Sequence, residues 1–245
     1  MPELAGGDPA FRDDDGSADP RAAAALAAFA SGEGSEHAAL TALARSRLLV
    51  PVVAAASDGG QGGAGGQGGA GGAGGQGGAG GQGGEHNSHM SLPALVGRDG
   101  RRALPAFTCL DALGGWRPGA RPVPAPAARV WQAAVSDSCA VVVDIAGPVP
   151  LAVEGARLAA LADGWPVPLP HEDPDVLNAV RAVAAAEGLI AGLRVLPGRD
   201  VEIRVTFAPG CPPAAASEAA RRLGAALMAR LGGRLRRGIA VAVVP

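Results

Sequence analysis

The chain contains no lysine and no tyrosine in 245 residues, and only four Phe and three Trp. Each absence removes a chemistry. Without lysine there is no Schiff-base amine and no P-loop lysine for a nucleotide phosphate. Without tyrosine there is no phenolic acid or base. Arginine supplies all 21 basic residues, and it does not give up its proton near neutral pH. So few aromatics leave little on which nucleic-acid bases could stack. A net charge of -2 gives no global field to attract nucleic acid or acidic lipid. Cys109, Cys139 and Cys211 are odd in number, far apart and form no C-x-x-C. That pattern indicates neither a disulfide framework nor a zinc ribbon, and suits a reducing cytosol. Apolar runs fall short of the roughly 20 residues a membrane helix needs. The Ala-rich stretch Arg21–Ala30 follows acidic rather than basic residues, unlike a secretory signal. The expectation is a cytoplasmic protein with no membrane partner.

Glycine is abundant, with 39 residues. Many sit in one tract, Gly59–Gly84, made only of Gly, Ala and Gln. Such a tract buries nothing. Met1–Asp19, rich in Asp, Gly and Pro, reads as a mobile tail. The next elements read as helices: one opened by Asp19-Pro20 as N-cap and first position, then "EHAALTALARS". "RLLVPVVAAAS", Arg47–Ser57, reads as a strand. Beyond the tract, Asp99-Gly100 between apolar runs signals a hairpin. Pro51, Pro93 and Pro105 interrupt strand-like runs, which places those strands at edges or bulges.

"TCLDALGGW" reads as a short helix capped by Thr108, and "PAARVWQAAVSD" as another. "CAVVVDIAGPVPLAV" reads as two strands around Gly147-Pro148, followed by the helix "EGARLAALADG". The Pro-rich "WPVPLPHED" is an extended connector. After it comes a fresh α-β-β-α-β cycle. It comprises a helix opened by Asp173-Pro174, two strands joined by a type II turn at Pro197-Gly198, and a long helix striped by Leu223, Leu227 and Leu231. The last strand, "IAVAVVP", is apolar on both faces, as a strand covered on both sides would be.

The fold class expected is α+β, in two small mixed α/β domains. Their bounds are 20–165, with 59–84 as a loop inside the first, a linker at 166–172, and 173–245. The tract belongs inside the first domain because a strand flanks it on each side and neither flank closes a core alone. A flexible chain of that length spans about 28 Å root-mean-square, more than neighbouring strands need. Lengthening a loop from roughly 4 to 30 residues costs only about 1.8 kcal/mol.

"LPALVGRDGRRALPAFTCLDALGGWRPGARPVP", "HEDPDVLNAVRA" and "LPGRDVEIRVTFAPG" resemble the SseB family as found in actinobacteria. The resemblance runs from about Arg21 onward and implies an N-terminal and a C-terminal SseB-like domain. It carries over no catalytic residue. Its phenotype name, enhanced serine sensitivity, implies as an alternative a small-molecule sensor for an amino acid. The Gly-rich tract departs from the family pattern.

No titratable cluster points to catalysis. His86 and His89 form H-x-x-H without further ligands nearby, which reads as a solvated loop. Cys139 with His171 lacks an elbow motif, and Asp137 with Asp144 lacks an acid–base geometry. No catalytic residue, cofactor or metal is therefore expected. A candidate interaction surface consists of Leu92, Pro93, Asp99, Gly100, Leu104, Pro105, Phe107 and Trp116, where Pro-interrupted edges could accept a partner strand. A candidate basic patch, Arg221, Arg222, Arg230, Arg234, Arg236 and Arg237, would serve a nucleic-acid accessory role. Its plainer reading is a solvated helix end. The leading expectation is a non-enzymatic interaction or regulatory module with an unknown protein partner.

Overall fold

A computed structural model describes residues 9–55, 89–148 and 150–244. The Gly59–Gly84 tract and His86 lie outside the described residues. The fold is α+β. Helices α1 (Pro20–Ser31) and α2 (Glu36–Leu43) precede strand β1 (Arg47–Ala55). Then come β2 (His89–Ser91), β3 (Leu95–Val96), β4 (Arg102–Ala106), α3 (Leu110–Trp116), β5 (Arg121–Pro126) and α4 (Ala127–Ser136). Strands β6 (Ala140–Val143) and β7 (Leu151–Val153) and helix α5 (Gly155–Asp163) follow. The remainder is α6 (Pro174–Ala185), β8 (Ile190–Pro197), β9 (Val201–Phe207), α7 (Pro213–Leu231) and β10 (Ile239–Val243).

Capping chemistry sets several starts. Asp19 accepts from the N–H groups of Arg21 and Ala22, with Pro20 at the first position of α1. Ser35 caps α2 and Asp173 caps α6 in the same way. Helix α3 differs from expectation: its N-cap is Cys109, whose Sγ accepts from Ala112 N–H at 3.5 Å. Thr108 is drawn away because its hydroxyl and N–H both bind Asp144.

Two sheets, β2-β1-β5 and β3-β4-β6-β7, make the N-terminal half. They are pinned together by one bridge, in which Leu49 and Phe107 exchange N–H···O bonds of 2.7 and 2.9 Å. β1 and β2 pair antiparallel, with Val53 opposite Ser91, so the two flanks of the glycine-rich tract are neighbours in one sheet. Trp131, Phe29, Leu40 and Leu43 are fully buried in the core beneath. The third sheet, β10-β9-β8, carries α6 and α7 on one face around Ile203, Leu223 and Leu227. This is the α-β-β-α-β unit, with β9 and β10 parallel across α7.

The prolines depart from expectation. β1 and β4 are internal strands, yet they carry Pro51 and Pro105. The Leu49–Phe107 bridge explains how. Successive residues in a strand point their N–H groups to opposite sides. Leu49 and Phe107 point theirs at one another, so Pro51 and Pro105, two residues away on each strand, face that same side. Pro51 falls between the bridge and the β2 ladder, which begins at Val53. Pro105 falls between the β3 ladder, which ends at Ala103, and the same bridge. In the antiparallel register of the bridge Pro51 stands opposite Pro105, so neither strand has a donor to offer there and the pairing stops. Pro93 lies between β2 and β3 rather than in a strand.

Three further expectations change. Residues 9–19 are tied down: Arg47 donates to Asp14 and to the Ser17 carbonyl, and Leu110 N–H reaches Gly16 O. Gly198 does not adopt the positive φ of a type II turn. Instead Gly198, Arg199 and Asp200 form the loop between paired Pro197 and Val201. The loop is drawn inward because buried Asp200 accepts from the N–H groups of Arg237 and Gly238. Finally, β10 is an edge strand and not one covered on both sides. Its small Ala240 is exposed and Val243 is 49% exposed.

Candidate functional site

The expected interaction surface divides. Leu104 and Phe107 are 1% and 0% exposed, and Pro105 is also buried. These three are core, because β4 is an internal strand. Trp116 is half-buried, with its ring centroid 5.4 Å from that of Phe107, and Leu92 packs against the N-terminal core. Pro93 is half-buried. Only Asp99 and Gly100 are exposed, at the β3–β4 turn where Gly100 takes a φ of 79°. The set is thus not one surface.

The six arginines also separate. Arg221 pairs with Glu218, and Arg222 makes a two-pronged contact with Glu187 at 3.0 and 2.8 Å. Arg236 donates to the Ala30 carbonyl and lies over the Phe29 ring at 5.5 Å. Arg237 is half-buried, its N–H held by Asp200. Arg234 is half-buried. Arg230 is exposed with no acidic partner among the described residues. Acidic groups neutralise three of the six, so no basic stripe forms.

Arg234 belongs to a buried ionic quartet that joins the two halves. The acidic Glu36 of α2 receives Arg157 of α5 on one carboxylate oxygen and Arg234 on the other, the second at 3.1 Å. Arg234 also donates to Asp173. Asp173 divides its work, since its other oxygen caps α6. Burial pushes the Glu36 carboxyl above its ordinary value, against the pull of Arg157 and Arg234. Burial likewise lowers Arg157. Burial opposes the charge on Arg234 too, but Glu36 and Asp173 hold it above the ordinary value. Both ends of the Glu36–Arg157 pair therefore report desolvation outweighing attraction, the usual balance for buried ions. Beside the quartet, Asp175 of α6 accepts from Ala156 N–H at 2.9 Å and so caps α5 across the joint.

Burial and neighbouring Asp137 push the Cys139 thiol up, away from a reactive thiolate. Among the described residues no group of three or more His, Cys, Asp or Glu is placed to hold a metal. No helix among them is long and apolar enough to cross a membrane.

A free backbone edge runs along β10. Val244 N–H reaches Val205 O, so even-numbered residues of β10 face β9. Ile239, Val241 and Val243 therefore aim their N–H and C=O groups outward. The strand "IAVAV" has no charge, no proline and no bulge. Other long edges are blunted. In β5, Pro122, Pro124 and Pro126 lie opposite Pro51, Leu49 and Arg47. Leu49 faces away from β5, so all three prolines turn their donor-less nitrogens to the outer edge. In β8 a bulge at Ile190/Gly192, Arg194 and terminal Pro197 break the edge. The sequence signal was present in the uncharged "IAVAV". What it lacked was the strand order that puts it at a margin.

The architecture is α+β, with one antiparallel and one mixed sheet in the N-terminal half followed by an α-β-β-α-β unit. The family described as SseB protein N-terminal domain matches residues 23–160, more than half of the chain. The chain belongs to the SseB family. No curated protein and no solved structure matches it.

Proposed function

We propose that this SseB-family protein is a non-enzymatic interaction module of the cytosol that takes up a partner β-strand along β10. The observation that carries the reading is the contrast among edges: β5 and β8 are blunted, whereas β10 presents outward backbone groups on an uncharged run. Exposed strands of this kind pair with other chains unless they are blunted. Strand addition draws affinity from main-chain hydrogen bonds and specificity from alternate side chains. Here the alternate positions are Ile239 and Val241 on the helix-covered face, with exposed Val243 following them, and Ala240 and Ala242 on the open one. A partner strand with β-branched residues on one face and small residues on the other fits that pattern.

The test is a pull-down from the native cytosol with wild type and Val241→Pro as baits. Val241 points its N–H outward, so proline there removes an intermolecular donor and no internal one. The expected result is a partner recovered by wild type and lost by V241P. An identical set of recovered proteins would refute strand addition at this edge. Recovery of the protein's own chain would identify the partner as a second copy.

A further inference from the structure

A second feature has no part in strand addition. Strands β4 and β6 run parallel, and open α/β sheets take their ligands at the carboxyl ends of parallel strands. At those ends lies a cleft of about 410 Å³, roofed by α1. Leu26, Ala27 and Ala30 of α1, Ala112 of α3 and Val143 of β6 give it an apolar lining. Its volume lies in the range of small-molecule sites. One charged side chain faces it, Asp144, just past the end of β6.

Asp144 is unusual in three respects. Its backbone takes a φ of 49°, a left-handed conformation that only two non-glycine residues adopt among those described. Its carboxylate accepts from Thr108 N–H at 2.8 Å and from the Thr108 hydroxyl at 2.7 Å, one bond to each oxygen. No cation sits against it among the described residues, and burial raises its carboxyl above the ordinary value. A carboxylate oxygen has capacity for a second hydrogen bond. An ionised group in an apolar setting is costly until it is paired. The cleft thus offers apolar walls and one uncompensated negative charge.

We infer that this cleft binds a small primary amine with an aliphatic body, its ammonium placed against Asp144 and its carbon chain against α1. The charge selects a cation over an acid. Cys109 lines the cleft as well, but among the described residues no third His, Cys, Asp or Glu joins them to hold a metal ion, so the lone carboxylate suits an ammonium. The Thr108 bonds hold Asp144 in place, and the amine takes the remaining acceptor positions.

The experiment uses the full chain at pH 7 with three probes of one size: n-hexylamine, hexan-1-ol and hexanoate. Calorimetric titration is expected to show hexylamine binding at least tenfold tighter than hexanol, and hexanoate weakest. Asp144→Asn keeps an acceptor for the Thr108 N–H and removes the charge. It is expected to bring hexylamine down to the affinity of hexanol. Ala27→Phe, at an exposed position on the rim, is expected to abolish binding of all three while circular dichroism stays that of wild type. The inference is overturned if no probe binds, if hexylamine is no tighter than hexanol, or if D144N binds the amine undiminished. Should D144N fail to fold, A27F decides: unimpaired amine binding there also overturns the site.

Discussion

Strands β5 and β10 are both margins of a sheet, and their sequences handle that position in opposite ways. "RPVPAP" puts proline at every second residue, in the register that turns each missing donor outward. "IAVAV" leaves its outward groups intact. The difference is one of parity. Proline is harmless on the outward parity and damaging on the inward one, so a chain can seal an edge without weakening the sheet behind it. β5 is sealed in this way and β10 is not. The two halves are then joined by ions, Glu36, Arg157, Asp173 and Arg234, and not by a continuous sheet.

The largest test breaks the joint. Arg234→Ala strands Glu36 and Asp173 as buried carboxylates with one cation between them. Removing one partner of a buried pair costs about 3–5 kcal/mol. Trp fluorescence reports the N-terminal half, since Trp116, Trp131 and Trp165 all precede Asp173, whereas circular dichroism reports both halves. In R234A the two probes are expected to give separate urea midpoints. Coincident midpoints would mean that the quartet does not couple the halves.

The next test shifts proline by one residue on β10. Val241→Pro removes an outward N–H, whereas Ala242→Pro removes the donor that faces β9. A buried acceptor left unpaired costs about 1–3 kcal/mol. A242P is expected to be less stable than V241P by that margin in chemical denaturation. Equal stabilities would contradict the parity assigned to this edge.

Replacing Gly59–Gly84 with a short turn comes third. The strands on either side, β1 and β2, are already neighbours through Val53 and Ser91. Shortening the connection between them from roughly 33 to 10 residues is worth about 1 kcal/mol of closure entropy, so a protein of equal or higher thermal midpoint is expected. Loss of the cooperative melt would show that the tract does more than connect β1 to β2.

The smallest effect is expected from Pro122→Val with Pro124→Val. These restore outward donors on β5 and should change stability by less than about 1 kcal/mol. Self-association, followed by light scattering with concentration, is expected to rise. Unchanged scattering would mean that proline is not what seals this margin.

The legibility of the chain followed the range of the interactions involved. Alternation at Val201, Ile203 and Val205 made β9 plain, and Asp19-Pro20 and Asp173-Pro174 marked helix starts, because these signals are local. Pro51 and Pro105 were misplaced to edges because the side a donor faces depends on a bridge between Leu49 and Phe107, 58 residues apart. Burial of Leu104 and Phe107 followed from the same cause. β10 looked doubly covered because Ala240 and Ala242 score as apolar, although such small side chains can line an open face. The quartet gave no sequence signal at all: residues 36, 157, 173 and 234 share no motif, only a meeting point.

That meeting point has a temporal side. Glu36 is made 121 residues before Arg157 and 198 before Arg234. At about 5–20 residues per second, its second cation leaves the ribosome roughly 10–40 seconds after Glu36 does. Neither cation exists for the first 121 residues of that interval, and between Arg157 and Arg234 the N-terminal half can pack its core around an acid that is only half neutralised. Arg234 supplies the second cation, so the full joint can form only after residue 234 has been made.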